Sequence, residues 1–279
     1  MGDGARLPTY RWLPRGGDPN AVILAVHGFN DHAMAFDVPG RWFAAHGLAV
    51  YAHDQRGFGG SPGGGAWAGE AALVRDLAAM VRLVQQRHPG TPVYLLGSSM
   101  GGAVILAAAA RGALPEVAGT VLAAPAVWAR RTMPWYQRWA LWVGARTLPW
   151  LRVGGGELNI RASDNDAALR TLALDPRVRG TTRVGTLHGL TNLMDTALGA
   201  AAEAPTPLLT LYGENDEIVP AGPMRRFRRH LPEAGVTNRT YETGWHLLLR
   251  DRRADRVWRD IAAWVRDSGG EPPSRVTAR

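Results

Sequence analysis

The stretch Val93-Tyr94-Leu95-Leu96-Gly97-Ser98-Ser99-Met100-Gly101-Gly102 constrains this chain more than any other. A short apolar run enters Gly-x-Ser-x-Gly, and an alanine-rich segment over 103–110 follows at once. Strand, tight turn and helix in that order hold the serine at the tip in a strained backbone, while Gly97 and Gly101 let the two elements close on it. Ser99 then stands above the sheet with helix N-terminal amides beside it. The plainer alternative is a Gly/Ser turn in which Ser99 only caps a helix. The two separate on whether the chain also supplies a base, an orienting acid and further amide donors for an oxyanion.

It supplies all three, in a telling order. Gly213-Glu214-Asn215-Asp216-Glu217-Ile218-Val219-Pro220 follows an apolar strand over 208–212, so a carboxylate there can accept an imidazole N–H. Asp216 is the choice because Ile218 and Val219 turn inward just past it and Pro220 opens the next helix. Glu214 and Glu217 are the local competitors, and an acidic helix-capping turn is the plainer reading. Gly244-Trp245-His246-Leu247-Leu248-Leu249 follows the last strand. A lone histidine before a leucine run suits a core position; its place after the final strand, downstream of Ser99 and Asp216, points instead to a general base. His27-Gly28-Phe29-Asn30-Asp31-His32 follows the strand 21–26, and the backbone N–H groups of Phe29 and Met100 are the expected oxyanion donors. His27 reads as a structural residue bonded to local backbone.

Around these motifs, apolar strand-like runs alternate with helical patterns, the signature of a mainly parallel sheet wrapped by helices. Strands are expected over 7–13, 21–26, 48–53, 93–98, 119–124, 208–212 and 236–241. Long helices are expected over 69–87 and 253–267. Between Pro125 and Pro207 the rhythm breaks, no strand is evident, and five of the eleven tryptophans fall between Trp128 and Trp150. Residues 1–125 and 206–279 therefore read as an α/β core, and 126–205 as a helical cap over the carboxyl edge of the sheet.

Composition excludes several classes. With no cysteine there is no thiol nucleophile, disulfide frame or thiolate metal site, and no metal or organic cofactor is expected. The net charge of +8 invites a nucleic-acid reading, but all 32 basic residues are arginine and most are scattered. The dense run Arg225-Arg226-Phe227-Arg228-Arg229-His230 suits a solvated helix face, so no nucleic-acid partner is expected. No run reaches the ~18 apolar residues of a spanning helix. A cytoplasmic location is the default expectation, with a periplasmic or membrane-attached one as the alternative. Oligomeric state is left open.

Taken together, the motifs resemble the α/β-hydrolase superfamily, in particular its monoacylglycerol lipase and lysophospholipase-like, serine aminopeptidase S33-type branch. The resemblance rests on His27-Gly28 with His32, on Asp54-Gln55-Arg56-Gly57-Phe58-Gly59-Gly60-Ser61-Pro62-Gly63, on Gly97 to Gly102, on Gly213 to Pro220 and on Asp175-Pro176-Arg177-Val178. It implies an eight-stranded, mostly parallel sheet with a helical cap. It also implies a serine carboxylic ester hydrolase acting on lipid-type esters, monoacylglycerols or lysophospholipids, through the triad Ser99, Asp216 and His246 and an acyl-enzyme on Ser99. A thioesterase, acyltransferase or aminopeptidase on the same triad, or a silent hydrolase-fold binding protein, are the alternatives. Asp54 and Arg56 are expected to form a loop-stabilising ion pair. Within the cap, Trp135, Trp139 and Trp142 recur at i, i+4 and i+7 and share one helix face. That face either packs the cap on the core or serves the substrate, as an acyl-tunnel wall or as a peripheral membrane contact flanked by Arg130, Arg131, Arg138 and Arg146.

Overall fold

Strand runs such as Ala21–Val26 and Leu48–His53 are buried along their full length, as expected of parallel strands covered on both faces. The computed structural model describes residues 1–154 and 160–268. Its strands are β1 (Thr9–Trp12), β2 (Ala21–Val26), β3 (Leu48–His53), β4 (Val93–Ser98), β5 (Gly119–Ala123), β6 (Arg152–Gly154), β7 (Thr181–Arg183), β8 (Leu208–Gly213) and β9 (Val236–Tyr241). The α-helices are α1 (Asp37–Ala45), α2 (Glu70–Arg87), α3 (Met100–Ala110), α4 (Trp135–Thr147), α5 (Asp166–Leu174), α6 (Val184–Gly199), α7 (Ala221–Arg229) and α8 (Ala254–Ser268).

One seven-stranded sheet has the order β1-β3-β2-β4-β5-β8-β9, parallel throughout except for β1, which runs antiparallel against β3. The eight strands implied by the resemblance are thus seven among the described residues. The residues before β1 form a turn, closed by the Gly4 N–H on the Met1 carbonyl, rather than a further strand. Alternation along each strand divides the core into two layers. Val93 and Leu95 of β4 join the layer under α2, α3, α6 and α7; Tyr94 and Leu96 join the one under α1 and α8.

Residues 126–205 depart from the expectation in two ways. A two-stranded ribbon, β6 against β7, lies where no strand was evident, because three-residue strands carry too little alternation to be read. Helix α6 is no outlying lid element: Leu193, Ala197 and Leu198 pack with Val104 and Ala108 of α3 in the main core. Helix α4 has no buried residue at all. Among the described residues, no helix is long and apolar enough to cross a membrane.

Strand order decides where a site can form. β2 and β4 are neighbours, yet the chain leaves β2 toward β3 on one side and leaves β4 toward β5 on the other. A crevice opens where connections diverge in this way, and the loops after β2 and β4 flank it. The loops after β8 and β9 emerge at the same carboxyl edge.

Candidate active site

Ser99 sits between β4 and α3 with φ 49° and ψ −114°, a left-handed backbone that costs a non-glycine residue energy. Its surroundings hold it there. The Ser99 N–H donates to the Ala123 carbonyl at 2.9 Å, and its own carbonyl accepts from Gly102 and Ala126, each at 3.0 Å. Close packing demands the flanking glycines: a Cβ on Gly101 would lie 2.0 Å from the Val26 carbonyl oxygen, and one on Gly97 2.6 Å from the Gly102 backbone. The Ser99 side chain makes no capping bond, which answers the plainer reading of the motif.

Asp216 and His246 meet at the ends of β8 and β9. The His246 Nδ1 lies 2.8 Å from Asp216 Oδ2, and both side chains are buried. A carboxylate can only accept, so Nδ1 carries the proton and Nε2 is left with a lone pair. The other Asp216 oxygen accepts from the Ile218 and Val219 N–H groups, both at 2.8 Å. This explains the inward turn after Asp216: the turn's amides lock the carboxylate. The two loops also touch, since a Cβ on Gly213 would lie 2.4 Å from the Gly244 backbone. The competitors are placed elsewhere. Glu214 is exposed, and Glu217 accepts the Arg161 N–H at 2.6 Å.

The residues beside Ser99 and His246 share a wall: Ser98 and Leu247 line one small cavity together with His27 and Gly28. Among the described residues, Ser99 Oγ makes no hydrogen bond, and the Phe29 and Met100 N–H groups have no protein acceptor. Catalytic hydrogen bonds in substrate-free sites are commonly long or unformed. His27 is structural: Nδ1 donates to the Gly28 carbonyl at 2.7 Å while Nε2 accepts from the Gln55 N–H at 2.9 Å. Burial pushes its pKa down, in keeping with a neutral ring.

Two expectations are corrected. Arg56 does not pair with Asp54. It binds Asp76 on α2, with Nη2 to Oδ1 at 2.9 Å, while Asp54 accepts from the Ala33 and Gly60 N–H groups. Trp135, Trp139 and Trp142 are 74, 63 and 53 % exposed, so they neither pack α4 onto the core nor wall an enclosed channel. Arg130 is committed to Asp195 and Asn192, which leaves Arg131, Arg138 and Arg146 of the expected cationic flank exposed.

The family model described as serine aminopeptidase, S33, matches residues 17–253. The chain belongs to this family. The monoglyceride lipase of Homo sapiens is 30 % identical over 269 residues, covering 94 % of this chain and 88 % of that protein. The monoacylglycerol lipase of Mycolicibacterium smegmatis is 28 % identical over 265 residues, covering 94 % and 93 %. Among solved structures, the Paleococcus ferrophilus monoacylglycerol lipase matches with a TM-score of 0.79 at 22 % identity, over 94 % of this chain and 99 % of that one. A soluble variant of the Saccharomyces cerevisiae monoglyceride lipase, in complex with a substrate analogue, gives 0.81 at 21 % identity, over 95 % and 93 %. The fold is that of the α/β-hydrolases, and the chain falls in their monoacylglycerol-lipase-like branch.

Sequence reading missed the polar groups that hold the His246 loop. Asp31 pairs with Arg250. Asp251 accepts from the Trp245 N–H at 2.8 Å and from Ser163 Oγ at 2.6 Å, and burial pushes the Asp251 carboxyl up. No local signal marks such residues, because the side chains they pair with lie 88 and 219 positions away. Among the described residues, no group of three or more histidine, aspartate or glutamate side chains converges as a metal site.

Proposed function

We propose that Ser99, His246 and Asp216 act as one proton-transfer chain, with lipid-type carboxylic esters as substrates. The enzyme is a serine hydrolase of the carboxylic ester class. The observation that carries the residue assignment is the buried Asp216–His246 pair at the same sheet edge as a serine in left-handed backbone. Ser99 Oγ attacks the ester carbonyl and His246 Nε2 takes its proton. The Phe29 and Met100 amides then stabilise the oxyanion. His246 returns the proton to the departing alcohol, leaving an acyl group on Ser99. A water molecule, deprotonated by His246, attacks that acyl group, and His246 gives the proton to the departing Ser99 Oγ as the fatty acid is released. Asp216 holds the imidazole in the tautomer these steps require.

The names of the curated relatives support monoacylglycerols as substrates; lysophospholipids are the second candidate class. Residues 1–125 and 206–279 are read as the hydrolase body and 126–205 as the cap; within these, 155–159 and 269–279 lie outside the described residues. The exposed tryptophans of α4, with Arg146 stacked 4.1 Å over the Trp142 ring and Arg131 and Arg138 nearby, suit contact with a lipid surface. A fluorophosphonate probe should label wild-type protein stoichiometrically and leave Ser99→Ala unlabelled; labelling that survives the substitution would overturn the assignment. Turnover of monoacylglycerol beside lysophosphatidylcholine, with a chain-length series of p-nitrophenyl esters, then fixes the head group and acyl preference.

A further inference from the structure

Residues 161–165 run alongside the loop that carries His246, and a set of hydrogen bonds joins the two segments. The Leu247 N–H donates to the Ala162 carbonyl at 2.9 Å. Ser163 Oγ donates to Asp251 Oδ1 at 2.6 Å, and Asp251 Oδ2 accepts from the Trp245 N–H at 2.8 Å. Asn165 Nδ2 donates to the Arg250 carbonyl at 2.9 Å, and the Arg252 N–H to Asp164 Oδ1 at 2.8 Å. At the other end, the Arg161 N–H reaches Glu217 on the acid loop, and the Arg161 guanidinium lies 5.5 Å from the Trp245 ring centroid. The amides on both sides of His246 are therefore held, one by the strap directly and one through Asp251. Ser163 is fully buried, so its bond to Asp251 forms away from competing water.

We propose that residues 161–165 are a positioning strap for the general base, with Ser163 and Asp251 as its positioning residues. The inference rests on His246 acting as the base in the reading above. The physical basis is that His246 lies in a loop without regular secondary structure, so no ladder of backbone bonds sets its direction. Asp216 fixes the ring at one nitrogen, but the backbone must also put Nε2 within reach of Ser99. Small misplacements at that point are costly to rate, since ~1 Å can cost about a hundredfold. The strap leads straight into α5, so displacement of that part of the cap is transmitted to the base.

The test uses the full-length enzyme with a soluble short-chain p-nitrophenyl ester, so that contact with a lipid surface plays no part. Ser163→Ala is expected to lower kcat about ten- to a hundredfold, with KM changed less than about twofold. Fluorophosphonate labelling of Ser99 should slow by the same factor. The low-field proton resonance of His246 Nδ1–H should shift or broaden. Asp251→Asn, which keeps an acceptor for the Trp245 N–H, should fall between wild type and Asp251→Ala. If Ser163→Ala proves unfolded by circular dichroism, the same ordering of the two Asp251 variants decides the matter. Wild-type kcat and an unmoved imidazole resonance in folded Ser163→Ala, or equal rates in Asp251→Asn and Asp251→Ala, would overturn the strap. Loss of Ser99-dependent labelling in the wild type would instead overturn the catalytic reading, so the two failures are distinguishable.

Discussion

The loop around His246 and helix α4 make opposite use of regular structure. The loop has none, yet His246 and Asp251 are buried and paired, and the Trp245 and Leu247 N–H groups on either side of the histidine are hydrogen-bonded. Helix α4 has thirteen residues of regular backbone and not one of them is buried. Rigidity at this site therefore comes from satisfied polar groups shielded from water, not from secondary structure. A base that must hold one direction needs such matching, whereas a surface that meets lipid needs exposed rings and few fixed partners.

This contrast can be broken most directly at the nucleophile. Ser99→Ala should abolish ester hydrolysis, a loss on the order of a millionfold in kcat, with the circular dichroism spectrum kept. Retained turnover would remove the reason for calling the loop side catalytic. Asp216→Asn should lower kcat by about ten-thousandfold through the wrong imidazole tautomer. Glu217→Gln keeps an acceptor for the Arg161 N–H, so its activity should stay within a few-fold of wild type; a larger loss there than in Asp216→Asn would reassign the acid.

On the α4 side, replacing Trp135, Trp139 and Trp142 together by alanine should weaken partitioning to anionic vesicles about tenfold. Turnover of soluble acetate esters should be kept, and unfolding stability should move by no more than about 0.5 kcal/mol, since the rings touch little of the core. A large loss of stability would show that these three rings pack after all. The last effect concerns pH and bears on neither region. Burial pushes the His53 pKa from its ordinary 6.5 down to about 3, and among the described residues its Nδ1 has no hydrogen-bond partner. Between those values the unfolded chain holds a proton that the folded chain refuses. Stability is thus complete above about pH 6.5 and declines toward pH 3, by up to ~1.4 kcal/mol per pH unit. Urea titrations from pH 7.5 to 5 should show that slope, and His53→Gln should flatten it.

Much of the sheet was legible in advance because its strands are local, continuous apolar runs; all seven expected strands exist, within a residue or a few at the ends. The elbow and the Asp216–His246 pair were legible because each follows such a run, and strand ends place loops on one edge. Orientation of the tryptophan stripe was not. A helical repeat puts three rings on one face but says nothing about whether that face looks inward. The same gap hid the core role of α6, since small and apolar residues suit a cap helix as well as one packed on α3.

What the amino-acid order determined alone was therefore the arrangement of elements and the places of Ser99, Asp216 and His246 at strand ends, because hydrophobic periodicity and turn chemistry act over a few residues. Tertiary structure alone decided which charges pair across long sequence separations. Arg56 chose Asp76 over Asp54, Asp31 found Arg250, and Ser163 found Asp251 across 88 positions. Those choices depend on which groups folding carries out of water together. Polar pairing is selected by distance and burial after the backbone is in place, and no short-range pattern encodes either.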